Sequence, residues 1–122
     1  MSGSEGSEYR KVAARLNYMA QDSPDVMFGT KEGCRGMSKP TVGCWRKLKK
    51  LARFMVRRVA VRWRFEWQDE GQKVKVYTDS DWAGCKKTRK SSSGGVMMLG
   101  KHCIKAWCST QGALALSSAE AE

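Results

Sequence analysis

The sequence predicts a mixed α/β chain, helical in its N-terminal half and carrying three short strands and the start of a helix after that. Three observations support this. Apolar residues recur every three or four positions over residues 8–20 and 41–58. They alternate with polar residues over 60–67 and 73–79, and glycines at 94, 95 and 100 bracket a short apolar run.

Residues 1–7, MSGSEGS, read as a disordered tail. Tyr9, Val12, Ala13, Leu16, Met19 and Ala20 then mark one face of a helix over residues 8–20. Ser23-Pro24-Asp25 combines a capping serine, a first-turn proline and an acid beside the positive end of a helix dipole, which starts a second helix over 24–37. Gly29, Gly33 and Gly36 weaken it, because each glycine costs roughly 1 kcal/mol against alanine inside a helix. Pro40-Thr41 opens the third helix. Trp45, Leu48, Leu51, Ala52, Met55, Val56 and Val59 line one side of it, and the cations mostly occupy the other.

Over 60–67, Val61, Trp63, Phe65 and Trp67 alternate with Arg62, Arg64 and Glu66, the pattern of a half-buried strand. Aromatic residues at such spacing, Trp45 and Phe54 included, are expected in the core rather than as base-stacking platforms. The polar run 68–72 breaks the pattern before Val74, Val76 and Thr78 resume it. The run VMML and then Ile104–Trp107 supply two further strands, and Ser117-Ser118 caps a final helix with acids at Glu120 and Glu122. No internal repeat is visible.

Composition narrows the function classes. The 122 residues carry a net charge of +11, concentrated in residues 31–67, where 12 Lys/Arg face two Glu. Such a block attracts phosphate backbones by counterion release, independent of base sequence. The candidate nucleic-acid contacts are Arg46, Lys47, Lys49, Lys50, Arg53, Arg57 and Arg58. No apolar stretch is long enough to span a bilayer, and MSGSEGSEYR lacks the apolar core of a signal peptide. The five cysteines are an odd number and are expected as reduced thiols, so the expected location is intracellular, with cytoplasm and nucleus not distinguished.

Two pairs of acids carry the chemistry. Asp79 and Asp81 close the 73–79 strand and, two apart, project to one face. Glu120 and Glu122 sit in the first turn of the last helix. An acid at a strand end plus a glutamate on the next helix builds a site for a hard cation such as Mg²⁺. Other constellations fail on spacing. His102, Cys103 and Cys108 include no CxxC pair, the single histidine leaves the serines without a base, and Ser91–Gly95 lacks a P-loop lysine.

The words YTDSDWAG, RKSSSGGVMMLG and LALSSAEAE, with YRKVAARLNYMAQDSPDVMF and MSKPTVGCWRKLKKLARFM upstream, resemble the Pol polyprotein of copia-type retrotransposons over residues 8–122. The resembling region spans the end of the reverse transcriptase, a helical connection over 8–67, and the N-terminal part of a ribonuclease H domain over 73–122. That resemblance implies a truncated ribonuclease H-like sheet of antiparallel strands near 73–79, 93–99 and 102–109, with a helix from Ser117. It implies that Asp79 and Glu122 bind catalytic Mg²⁺ for endonuclease hydrolysis of the RNA strand of an RNA–DNA hybrid. Asp81 and Glu120 stand close enough to compete for those roles. The family's further acids lie on later elements, so the chain alone is expected to have little or no nuclease activity and to act with the remainder of the polyprotein. Two alternatives are a basic, non-catalytic nucleic-acid-binding module and a retroelement relic without function.

Overall fold

A computed structural model describes residues 3–58, 60–71 and 73–122. The expectations that fall on residues 1, 2, 59 and 72 lie outside these. Among the described residues the chain is mixed α/β, with four α-helices and a three-stranded antiparallel sheet, and it divides into two compact units at Arg62/Trp63. No helix among the described residues is long and apolar enough to cross a membrane, and no disulfide forms.

The first unit holds α1 (Gly3–Met19), a 3₁₀ turn (Ala20–Asp22), α2 (Pro24–Cys34) and α3 (Val42–Arg57). Residues 3–7, expected as part of a disordered tail, are helical. Glu5 in the first turn complements the helix dipole, and the buried face of Tyr9, Ala13 and Leu16 runs back to a buried Gly6. α2 starts at Pro24 as expected, but Ser23 makes no side-chain cap; its hydroxyl accepts instead from Arg58 Nη2 at 3.1 Å. α2 also ends at Cys34 rather than at residue 37, with residues 35–37 continuing as turns.

The core of this unit is Tyr9, Ala13, Leu16 and Leu48, surrounded by Val12, Met37, Cys44, Trp45, Leu51 and Met55. Tyr9 is fully buried, donates to the Gly33 carbonyl at 2.6 Å and meets Trp45 edge-on with ring centroids 5.8 Å apart. The three glycines of the expected helix, Gly29 and Gly33 in α2 and Gly36 in the turn after it, are where its neighbours approach. A Cβ on Gly29 would stand 3.1 Å from a Leu51 methyl, on Gly33 3.0 Å from a Leu48 methyl, and on Gly36 2.6 Å from the Tyr9 hydroxyl. Dense packing outweighs the propensity cost here.

The second unit is a meander of β1 (Val74–Asp81), β2 (Ser92–Leu99) and β3 (His102–Thr110), followed by α4 (Ser118–Ala121). β1 runs from Val74 opposite Leu99 to Asp81 opposite Ser92, and β3 pairs with β2 through an irregularity at Ile104. Three strands and a one-turn helix cannot cover both faces of the sheet, so Val74, Val76, Tyr77 and Ile104 remain exposed.

The strand expected at 60–67 does not form. Its residues join no ladder and are exposed, including the aromatic ones expected in a core. Side chains hold the end of this segment to the β2–β3 turn instead. Gln68 donates to the Leu99 carbonyl (2.9 Å) and accepts from the Lys101 N–H (3.0 Å), while Phe65 stacks edge-on against His102. Trp67 is 91% exposed. Alternation marks a strand only where a neighbour offers backbone partners, and none is offered here.

At the start of α3, the Thr41 hydroxyl accepts from the Cys44 N–H (3.2 Å) and lies 3.1 Å from the Cys44 sulfur, to which it donates. Hydrogen bonding from Thr41, with Lys47 nearby, lowers the Cys44 thiol below its ordinary range, whereas burial raises that of Cys34. A lower thiol pKa means more thiolate at a given pH, and thiolate is the nucleophile. Iodoacetamide should therefore label Cys44 before Cys34 at neutral pH, and Thr41→Val should slow Cys44 labelling, as read by peptide mass spectrometry.

Candidate functional site

Four expected acids lie near the junction of β1 and α4, and local structure divides them. Asp81 accepts a short hydrogen bond from the Ser92 N–H, and its carboxylate folds over Gly84, where a Cβ would overlap it. Asp81 therefore ties the β1–β2 connection. Glu120 reaches back to the N–H of Leu116, the residue before the cap, at 2.6 Å, while its own N–H donates to the Ser117 hydroxyl that caps the helix at 3.2 Å.

Asp79 and Glu122 have no such local duty. Together they line a cavity of about 290 Å³ whose other walls are Thr78, Ser80, Ser93, Gly94 and Trp107. Among the described residues, no hydrogen bond or ion pair engages either carboxylate, and no group of three or more His, Cys, Asp or Glu side chains is arranged for a metal ion. Two acidic residues thus line the cavity beside Thr78, Ser80 and Ser93, and the Ser80 hydroxyl itself is buried with no hydrogen-bond partner.

The middle strand makes room for this cavity. Asp79 pairs with Gly94, and Thr78 with Gly95, which in turn pairs with Trp107. A Cβ on Gly95 would overlap the Trp107 indole, whereas one on Gly94 would find its nearest atom at 3.7 Å. The ring can lie across β2 only because Gly95 has no side chain. Sequence reasoning reads these glycines as brackets of a strand and misses Thr78, Ser80, Ser93 and Trp107. Their positions beside Asp79 and opposite it in the register are the available clue.

The second expected site, the basic helix, is largely exposed. Lys49, Arg53 and Arg57 recur every four residues, about 6 Å apart along the axis, and with Ala52 and Val56 line a groove of about 460 Å³. Lys49 also sits over the Trp45 ring at 5.2 Å. Arg46, Lys47 and Lys50 are exposed elsewhere on α3. Arg58 is not part of this surface. It follows the helix in extended conformation, and its guanidinium is bound by both Asp25 oxygens and by Ser23.

Comparison with known proteins places the chain among retroelement sequences. It is 29% identical over 116 residues to the retrovirus-related Pol polyproteins from transposons RE2 and RE1 of Arabidopsis thaliana, covering 95% of this chain and 8% of each polyprotein. The same identity over the same length relates it to the uncharacterized mitochondrial protein AtMg00810 of Arabidopsis thaliana, of which it spans 48%. It is 30% identical over 112 residues to the secreted RxLR effector protein 161 of Plasmopara viticola, covering 91% of this chain and 78% of that protein. No family model matches the chain, and no solved structure matches it. The resemblance to copia-type retrotransposon Pol polyproteins seen in the sequence is thus matched by named relatives at 29% identity over 95% of the chain. The chain spans about half the length of the mitochondrial relative and a small part of the polyproteins.

Gly95→Ala should lower unfolding free energy by about 1–3 kcal/mol through overpacking against Trp107. Gly94→Ala should change it by less than about 0.5 kcal/mol. Urea denaturation of the two variants checks the contrast.

Proposed function

We propose that the second unit is the N-terminal part of a ribonuclease H-like domain. On this reading Asp79 and Glu122 hold a divalent cation that serves RNA–DNA hybrid cleavage within a larger polyprotein. The observation that carries the reading is the shared cavity of these two carboxylates, set against the local engagement of Asp81 and Glu120. Mg²⁺ is commonly held by one or two protein carboxylates, with waters and substrate phosphates completing its octahedron, so the donor set fits a weakly held ion. When bound, the ion would supply Lewis-acid polarisation of a phosphodiester and activation of water.

The chain's own residues would do the rest. Asp79 near the end of a paired strand and Glu122 at the end of a capped turn would give the ion ligands from two separately fixed elements. Thr78, Ser80, Ser93 and Trp107 form the remaining walls around the two acids. Two carboxylates are fewer than a tightly held ion needs, so the isolated chain should turn over little or no hybrid. At constant ionic strength, Mg²⁺ should raise the affinity for an RNA–DNA hybrid, and Asp79→Asn or Glu122→Gln should remove that increment. Equal affinity with and without Mg²⁺ would contradict the metal reading, and Asp79-dependent turnover would contradict the incomplete site.

A second reading, a nucleic-acid-binding surface on α3, is favoured by the stripe of Lys49, Arg53 and Arg57. Each phosphate left without its cationic partner should lower the salt slope of binding to duplex by about 0.9. The triple variant Lys49→Gln/Arg53→Gln/Arg57→Gln should therefore flatten the slope by roughly 3. Arg58→Gln should leave it unchanged. Filter binding across a salt series reads both.

A further inference from the structure

We infer that Gln111 is a positioning residue that sets the Glu122 wall of the cavity against the sheet. The inference rests on the reading of Asp79 and Glu122 as a working pair. Gln111 follows the last residue of β3, and its N–H donates to the Ser91 carbonyl at 2.9 Å, which fixes its backbone to the start of β2. Its amide nitrogen then donates twice, to the Ser93 hydroxyl at 2.8 Å and to the Ala121 carbonyl at 2.5 Å. Ser93 lines the cavity from β2, and Ala121 immediately precedes Glu122. One side chain therefore joins the two walls between which the acids are presented.

α4 needs such a tie. It has four residues, far below the length at which a helix holds itself in water. The Ser117–Glu120 cap and the buried Ala121 side chain shape the turn, but neither is a hydrogen bond to the sheet. The approach to it, residues 112–116, is pinned by Lys90 to the Gly112 carbonyl and by Trp82 to the Ala115 carbonyl, both upstream of the turn. Gln111 supplies a bond to the sheet from the last helical residue itself.

Donation is the requirement, and it separates this role from packing. Gln111→Glu keeps the shape of the side chain, but its ionised carboxylate has no hydrogen to give the Ala121 carbonyl. Protonation restores a donor as pH falls through the ordinary glutamate range, about 4.3. The test is amide hydrogen exchange with no divalent cation present, together with nuclear Overhauser contacts from the Glu122 methylenes to the cavity wall, on wild type, Gln111→Glu and Gln111→Ala. At neutral pH both variants should exchange the Ala121 and Glu122 amides roughly tenfold faster, the weight of one hydrogen bond, and lose the Glu122 contacts. Amides of β2 and β3 should stay protected.

On acidification Gln111→Glu should regain protection and contacts relative to wild type at the same pH, while Gln111→Ala should not. Unchanged α4 exchange in both variants would overturn the inference. So would loss spreading through β2 and β3, which would make Gln111 a general structural residue, or the absence of recovery in Gln111→Glu. Because no cation is present, a failure of the metal reading leaves this outcome separate.

Discussion

The second unit is organised around the absence of side chains at two adjacent positions on its middle strand. Gly95 lets the Trp107 indole lie across β2, and Gly94 leaves open space opposite Asp79. Side-chain packing in sheets normally fills such positions, and glycine inside a strand weakens it. Here the weakening is offset by pairing on both sides, since β2 lies between β1 and β3. Trp107 lines the same cavity as Asp79 of β1 and Glu122 of the last helical turn. A side chain at Gly95 would displace the ring.

Around this gap the acids divide their labour. Each candidate pair has one member committed to the backbone: Asp81 to the β1–β2 connection and Glu120 to the start of α4. The remaining members face one cavity as like charges, a placement that favours a cation between them. The same local bonds that consume Asp81 and Glu120 fix the strand end and the helix start, so the second acid of each pair helps aim the first. The cationic stripe on α3 belongs to the other unit and is a separate feature, with its own core built on Tyr9 and Leu48.

Much of this is legible in the sequence, and the failures have identifiable causes. The periodic faces of Tyr9–Leu16 and Trp45–Met55, and the apolar runs of the three strands, report burial or pairing directly, so those elements are readable to within a few residues. Gly29, Gly33 and Gly36 look like defects to a propensity argument because it sees one helix, while the atoms that need the space are on Leu51, Leu48 and Tyr9. Residues 60–67 alternate as a strand would, but a strand is a relation between two segments and this one has no ladder partner. Asp79 and Asp81 are indistinguishable on spacing, since both project to one face; the turn that captures Asp81 is a property of Ser92 and Gly84. Gln111 carries no sequence signal, because its partners Ser93 and Ala121 come from separate elements.

On the proposed reading, Asp79 and Glu122, from separate elements, share one divalent ion. Paramagnetic broadening by sub-stoichiometric Mn²⁺ tests it most directly. The side-chain signals of Asp79 and Glu122 should broaden together with one apparent affinity, ahead of those of Asp81 and Glu120. Broadening spread evenly over all four acids, or confined to one of the pair, would contradict it.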